Sequence, residues 1–112
     1  MKNIFDEVSY SCSENVTKTY STSFSLATRL LSKNIRKDIY NIYGFVRFAD
    51  EIVDSFHDYN KAELFNRFER SLEEALTDRI SLNPILNSFQ ETVHRYKIDR
   101  EYINSFMKMD FF

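Results

Sequence analysis

Glycine and proline are almost absent from this chain, and their scarcity constrains the fold more than any other feature. The 112 residues include one glycine, Gly44, and one proline, Pro84. Sandwiches and barrels need many tight turns, and tight turns depend on these two residue types. A glycine-rich phosphate-binding loop is excluded as well, because such a loop needs several glycines. The sequence therefore predicts an all-α fold.

Composition and charge narrow the class of protein further. The chain has 15 Lys and Arg against 17 Asp and Glu, and this balance argues against a general nucleic-acid-binding protein. Cys12 is the only cysteine, so no intrachain disulfide can form. The N-terminus lacks the apolar segment of a signal peptide, and no apolar run is long enough to span a membrane. We therefore expect a soluble, cytoplasmic protein.

Helical spacing of apolar residues runs along most of the chain. The stripe Ile4, Val8, Cys12 and Val16 predicts a first helix over about 4–19, with Cys12 in the core. The Ser/Thr-rich segment 20–25 is expected to break this helix and to start a short one.

Capping residues mark the starts of the later helices. Ser32 or Asn34 would cap a long helix running to about residue 58. Asn60 opens a capping box for a helix over 61–78, and Asn83 with Pro84 starts a helix over 84–97. Asp99 would cap a last helix, which runs into Phe111 and Phe112 without a C-cap signal. We therefore expect residues 1–112 to be the N-terminal part of one longer all-α domain, truncated at the C-terminus.

One segment, residues 42–58, carries side chains suited to chemistry. At about 100° per residue, a helix places a phenol, a guanidinium and three carboxylates in an arc about 80° wide. A pair of aspartates one turn apart is usually a solvated helix face. Here a separate apolar arc of about 140° indicates a central helix instead. The polar stripe consists of Tyr43, Arg47, Asp50, Asp54 and Asp58, and the apolar arc of Ile42, Phe45, Phe48, Ala49, Ile52, Val53 and Phe56.

Carboxylates crowded beside a single guanidinium favour a bound cation. Like charges about 6 Å apart repel by about 3 kcal/mol at an effective dielectric constant near 20, and Arg47 offsets only part of this. Mg²⁺ typically binds one or two carboxylates plus substrate phosphates. The stripe therefore predicts a Mg²⁺–diphosphate site rather than a structural metal cage. Glu51, at the edge of the stripe, is either a further ligand or a solvated side chain.

Two sequence elements resemble those of the squalene/phytoene synthase family. The first is Tyr-Ser-Thr-Ser-Phe at 20–24, and the second is Ile-Tyr-Gly-Phe-Val-Arg-Phe-Ala-Asp-Glu-Ile-Val-Asp at 42–54. The two elements together are specific evidence for this family, whereas an Asp-x-x-x-Asp pattern alone would be weak evidence. Family members are longer than this chain, so the resemblance implies the N-terminal helices of an isoprenoid synthase-type bundle.

The resemblance also implies an activity and residue roles. The reaction would be the head-to-head (1′-1) condensation of two prenyl diphosphates, with geranylgeranyl diphosphate giving phytoene as the favoured case. Asp50 and Asp54 would bind Mg²⁺, or Mn²⁺ as an alternative, with Glu51 as a further metal ligand. Arg47 would contact diphosphate, and Tyr43 would lie near the reacting carbons. The substrate-binding residues would be Tyr20, Ser21, Ser23, Phe24 and Thr28, the last leaving room for a long prenyl tail one turn from Phe24.

Two alternatives stay open. One is a squalene or dehydrosqualene synthase that uses farnesyl diphosphate, with NADPH only in the squalene type. The other is a non-catalytic helical module of the same fold that binds a partner protein. The second aspartate-rich motif of the family is not in this chain, so the 112 residues alone are expected to be inactive. Lys33, Arg36 and Lys37 form a basic cluster that is either the solvated start of a helix, which is the favoured interpretation, or a contact for anionic lipid headgroups in peripheral membrane association. The oligomeric state stays open.

Overall fold

The computed structural model describes residues 2–111, without the side chains of residues 34 and 109–111. Across 2–111 the chain forms six α-helices and no β-strand, which confirms the all-α prediction. The helices are α1 (Lys2–Tyr20), α2 (Thr22–Thr28), α3 (Lys33–Asp54), α4 (Lys61–Asp78), α5 (Pro84–Tyr96) and α6 (Arg100–Phe111). The helix α3 begins at Lys33 with Ser32 at the N-cap position, so Asn34 lies inside the helix and not at its cap. The Phe111 side chain and Phe112, the predicted free end, lie outside the described residues.

Side-chain caps start α4 and α5 where the sequence predicts them, whereas Ser32, at the N-cap position of α3, makes no capping hydrogen bond with its side chain. Asn60 Oδ1 accepts a hydrogen bond from Glu63 N at 3.1 Å, at the start of α4. Asn83 Oδ1 accepts from Ile85 N at 3.0 Å, and Pro84 follows it in the first turn of α5. These oxygens satisfy backbone donors that have no partner inside the helix.

The helix α3 ends earlier than predicted, at Asp54 instead of about residue 58. Residues 55–60 form a turn that reverses the chain into α4. Lys61 Nζ donates to the Val53 carbonyl near the end of α3, and Phe56 packs back onto the core. The chain is therefore held in this turn by tertiary contacts, and Asp58 lies outside the predicted polar stripe.

An aromatic core lies between α3, α4, α5 and α6. The Phe45 ring stacks on Phe89 with centroids 3.9 Å apart and on Phe68 at 5.7 Å. Buried aliphatic side chains from the same helices complete this core; among them are Leu72, Leu76, Leu86, Val93 and Ile103. Burial of each such side chain stabilises the fold by roughly 1.5–3 kcal/mol. Phe45 and Ala49 anchor α3 with their side chains in this core, as predicted.

The helix α1 packs with its polar face inward, which overturns the predicted core stripe. Ser9, Ser13 and Thr17 are fully buried, whereas Ile4 and Val8 are exposed and Cys12 is only half-buried. Two of the buried hydroxyls find partners on α5: Ser9 Oγ accepts from Asn87 Nδ2 at 3.1 Å, and Ser13 Oγ bonds Ser88 Oγ. The Thr17 hydroxyl donates to the Ser13 carbonyl within α1. Small side chains let the helices approach closely, and hydrogen bonds remove the cost of burying polar groups.

Candidate active site

The helix α3 presents its polar stripe away from the aromatic core. Tyr43, Arg47, Asp50 and Glu51 are half-buried, and the Asp54 side chain is 63% exposed near the C-terminal end of the helix. Within the described part of the chain, no helix combines the length and apolarity that crossing a membrane requires.

Arg47 is the centre of this stripe. Its Nη2 donates to Glu51 Oε2 at 2.9 Å and lies 4.0 Å from Asp54 Oδ2. The ring of Tyr20, at the end of α1, lies 5.2 Å from the guanidinium carbon. The Nε atom is buried and has no hydrogen-bond partner among the described residues. Because a buried donor without a partner costs free energy, Arg47 is suited to bind an anion.

Electrostatics keep Arg47 and Glu51 charged. Burial opposes the charge on Arg47, but the hydrogen bond to Glu51 and the charges of Glu51 and Asp50 outweigh it and raise the pKa of the guanidinium. The pKa of Glu51 is lowered, first by a hydrogen bond with Ser55 and then, against the effect of burial, by Arg47. Glu51 is therefore the partner of Arg47, a role that neither of its two predicted alternatives included.

The short helix α2 brings an aromatic ring onto the stripe. The Phe24 and Tyr43 rings stack with centroids 4.9 Å apart and an interplanar angle of 24°. Ser21 caps α2 by accepting from Phe24 N at 3.2 Å, and the Thr28 hydroxyl donates to the Phe24 carbonyl at 2.7 Å. Both contacts hold the Phe24 backbone in place. Thr28 is buried, whereas Ser23 is exposed on α2.

A mostly apolar hollow of about 460 Å³ lies beside the stripe, between α3 and α4. Tyr20, Glu51 and Arg67 supply polar atoms to its lining, and the apolar side chains include Phe48, Ile52, Phe56, Leu64 and Phe68. The sequence placed Phe48 on the apolar arc of α3, and Phe48 packs against the core while also lining this hollow. The sequence gave α4 no role in the site. The sequence gives little indication of this hollow, because α4 has the apolar pattern of an ordinary amphipathic helix.

The structure brings most of the predicted site residues together but does not form a metal cage. Tyr20 and Glu51 both contact Arg47, and Phe24 stacks on Tyr43, which lies one turn before Arg47 on α3. Among the described residues, no three Asp, Glu, His or Cys side chains lie close enough to hold a metal ion. Asp50 and Asp54 lie one turn apart on α3, and one or two carboxylates are what Mg²⁺ commonly takes from a protein when substrate phosphates supply its other ligands.

Comparison with known proteins identifies the family of the chain. The sequence profile of the family described as squalene/phytoene synthase matches residues 17–109. The chain belongs to the squalene/phytoene synthase family. The matched range includes α2, α3 and every predicted site residue of this family member.

One curated relative is phytoene synthase 1, chloroplastic, of Zea mays. It is 29% identical over 100 residues, which cover 88% of this family member and 23% of the maize protein. The chain thus spans about a quarter of the length of that relative. No solved structure matches the chain.

Proposed function

We propose that α2 and α3 form the diphosphate-binding part of a site that condenses two prenyl diphosphates head to head. The observation that carries the proposal is the Nε of Arg47, which is buried and has no hydrogen-bond partner in the part of the chain that the structure describes, on a guanidinium held by Glu51 and lying near Asp54. A diphosphate oxygen would supply the missing acceptor. The stacked rings of Phe24 and Tyr43 provide an apolar surface on the same helices.

The chemistry required is departure of diphosphate from an allylic carbon, with the electron pair of the C–O bond leaving on oxygen. Arg47 would donate to this oxygen and stabilise the charge as it develops. Asp50 and Asp54 would hold Mg²⁺, which, when bound, neutralises charge on the diphosphate. The ring faces of Phe24 and Tyr43 would stabilise the allylic cation without trapping it, and would help to exclude water.

The favoured substrate is geranylgeranyl diphosphate, and the product would then be phytoene. The support is the maize relative, whose name is phytoene synthase. Farnesyl diphosphate, giving squalene or dehydrosqualene, is the alternative, with NADPH used only for squalene. Product analysis of the full-length protein with each diphosphate distinguishes the two substrates.

The test of the site is the binding of pyrophosphate to this chain in the presence of Mg²⁺, measured by calorimetry. Arg47→Gln should weaken binding about ten- to a hundredfold, because it removes charge-assisted hydrogen bonds. Asp50→Asn combined with Asp54→Asn should weaken binding at least as much. Asp58→Asn is the matched control, because Asp58 lies beyond the end of α3 and should leave binding unchanged. Unchanged binding by the Arg47 and Asp50/Asp54 variants would refute the proposal and favour a partner-binding module.

A further inference from the structure

The C-terminal end of α3 lies at the edge of the candidate site and carries concentrated negative charge. Asp50, Glu51 and Asp54 occupy its last two turns, and Asp54 is the last residue of the helix. The backbone carbonyls at a helix C-terminus form the negative end of the helix dipole, which disfavours carboxylates in the last turn. No Lys, Arg or His in that turn offsets this charge. The end of α3 therefore depends on another element for its stability.

Lys61, the first residue of α4, supplies this stabilisation. Its side chain is half-buried, and Nζ donates a hydrogen bond to the Val53 carbonyl across the 55–60 turn. This carbonyl is one of the last four of α3, which lack a partner within the helix. The bond therefore satisfies a free carbonyl and places a positive charge at the negative end of the dipole, directly before Asp54 in the sequence.

The position of Lys61 is not explained by the helix to which it belongs. Asn60 caps α4, and Lys61 follows it at the first helical position, where the positive end of the α4 dipole disfavours a cation. The same turn contains Glu63, whose charge this dipole favours. Lys61 therefore destabilises the start of α4 slightly and stabilises the end of α3.

The last turn of α3 determines where the Asp54 carboxylate lies. Asp54 Oδ2 is 4.0 Å from Arg47 Nη2, so the carboxylate is directed along the polar stripe. Asp50 is one turn earlier on the same helix. Unwinding of the last turn would separate Asp54 from both residues, because a helical backbone is what keeps positions four apart on one face. A hydrogen bond between the Glu51 carboxylate and Ser55, the C-cap residue, holds the same turn from within the helix.

We propose that Lys61 is a positioning residue of the candidate active site. Through its bond to the Val53 carbonyl, it keeps the last turn of α3 helical and the Asp54 carboxylate beside Asp50, where both would meet Mg²⁺. Lys61 itself touches neither the ion nor the substrate. The consequence for metal binding rests on the proposed function, whereas the stabilisation of the helix end does not.

Stabilisation of the helix end is tested in the metal-free chain by amide hydrogen exchange, measured by NMR. The Ser55 N–H donates to the Glu51 carbonyl at 3.0 Å and so reports whether the last turn is closed. Lys61→Met keeps a long unbranched side chain but removes the donor, and it should speed exchange of this amide at least about threefold. Lys33→Met is the matched control, because Lys33 is likewise the first residue of its helix, at the opposite end of α3. The control should leave the exchange rate of Ser55 unchanged.

The positioning role is tested by the Mg²⁺ concentration that gives half-maximal binding of pyrophosphate, measured by calorimetry. Lys61→Met should raise this concentration about threefold to tenfold, because the arrangement that binds the ion is then populated for only part of the time. A role through charge alone predicts the opposite change, since loss of a nearby cation would strengthen Mg²⁺ binding. Lys61→Arg, which keeps a charged donor, should restore most of the parent value, and Lys33→Met should match the parent.

The outcomes distinguish failure of this proposal from failure of the proposed function. Exchange of the Ser55 amide that is as slow in Lys61→Met as in the parent would overturn the stabilisation of α3 by Lys61. An unchanged or lower Mg²⁺ requirement in Lys61→Met would overturn the positioning role. A parent chain that binds no pyrophosphate with Mg²⁺ would contradict the proposed function instead, and hydrogen exchange alone would then decide whether Lys61 holds the helix end. Circular dichroism of each variant checks that the other helices are retained.

Discussion

At Gly44, α3 passes in close contact with α1. A Cβ atom built on Gly44 would lie 3.0 Å from Ser13 Oγ, 3.2 Å from Ser13 Cβ and 3.3 Å from Ser13 Cα. Such distances require the neighbouring helix to move. Gly44 precedes the Arg47–Asp54 stripe on the same helix, so this contact also fixes where the stripe lies relative to α1.

We predict that Gly44→Ala destabilises the protein, although alanine is the better helix former. Helix propensity alone would add about 1 kcal/mol to the free energy of unfolding. Crowding against Ser13 costs roughly 1–3 kcal/mol, so the net loss should be about 1 kcal/mol. Urea unfolding measures this change.

The control for this prediction is the same substitution in a Ser13→Gly background. The loss caused by Gly44→Ala should be smaller there, because the Ser13 side chain no longer meets the added methyl group. A Gly44→Ala variant that is more stable than the parent would contradict the close approach of α1 and α3.

At the scale of the element, α1 shows that an amphipathic pattern does not decide which face is buried. Ile4 and Val8 of its apolar stripe are exposed, whereas Ser9, Ser13 and Thr17 are buried. Ser13 meets α3 at Gly44, and Ser9 and Ser13 contact α5. Ser9 Oγ donates to the Phe5 carbonyl at 3.0 Å and accepts from Asn87. The Ser9 side chain is therefore small enough for the space beside α5, and it also supplies the acceptor that the Asn87 amide needs.

We predict that substitutions on the two faces of α1 have effects opposite to those expected from hydrophobicity. Val8→Ser should change the free energy of unfolding by less than about 0.5 kcal/mol, because Val8 is exposed. Ser9→Val should lower it by about 1–3 kcal/mol, because it crowds α5 and removes the Ser9 acceptor from Asn87. Urea unfolding of the two variants compares them directly. A larger loss for Val8→Ser would show that α1 packs with the opposite face inward.

At the scale of the whole molecule, α3 lies between an aromatic core and a polar seam. On the polar side, the buried Asp38 carboxylate accepts from Thr92 Oγ1 at 2.8 Å and from Tyr96 OH at 2.7 Å. Arg95 Nη1 lies 3.3 Å from the same carboxylate. These bonds join α3 to α5, and a buried charge is tolerated only when it is paired and hydrogen-bonded in this way.

The half-buried phenol of Tyr10, on α1, predicts that the folded protein loses stability at alkaline pH. Burial, together with the charges of Glu91 and Asp6, raises the pKa of Tyr10 to about 12. Tyr10 therefore keeps its proton in the folded state at a pH where the unfolded chain loses it. The contribution of Tyr10 to the free energy of unfolding is complete below the pKa of about 10 that tyrosine has in the unfolded chain. This contribution is lost as the pH rises towards 12. For one such proton, the free energy of unfolding falls by at most about 1.4 kcal/mol per pH unit.

The measurement is the free energy of unfolding between pH 9 and pH 12, taken from urea titrations at about half-unit steps. Tyr10→Phe should make the alkaline decline less steep than in the parent protein. Tyr102→Phe, which removes an exposed phenol on α6, is the control. Parallel curves for the parent and Tyr10→Phe would show that Tyr10 is not desolvated in the fold.

The sequence was enough to predict the helices, because the signals that start them are local. Asn60, Asn83 and Asp99 cap backbone donors two or three residues away. Periodicity likewise placed Tyr43, Arg47, Asp50 and Asp54 on one face of α3, since angles around a single helix depend only on spacing. The end of α3 escaped prediction, because contacts made by Lys61 and Phe56 stabilise the turn that follows it.

Only the tertiary structure decided which faces meet. The pairing of Tyr20 with Arg47, the hollow beside Phe48 and the inward serines of α1 depend on neighbouring helices. Ser13 and Ser9 find their partners 75 and 78 positions along the chain. Periodicity encodes how side chains are arranged around one helix axis, but it carries no information about a neighbour's volume or hydrogen-bonding groups. The close packing beside Gly44 and the hydrogen-bonding groups of α5 therefore determine that α1 buries its small polar side chains. The apolar pattern of α1 predicts the opposite.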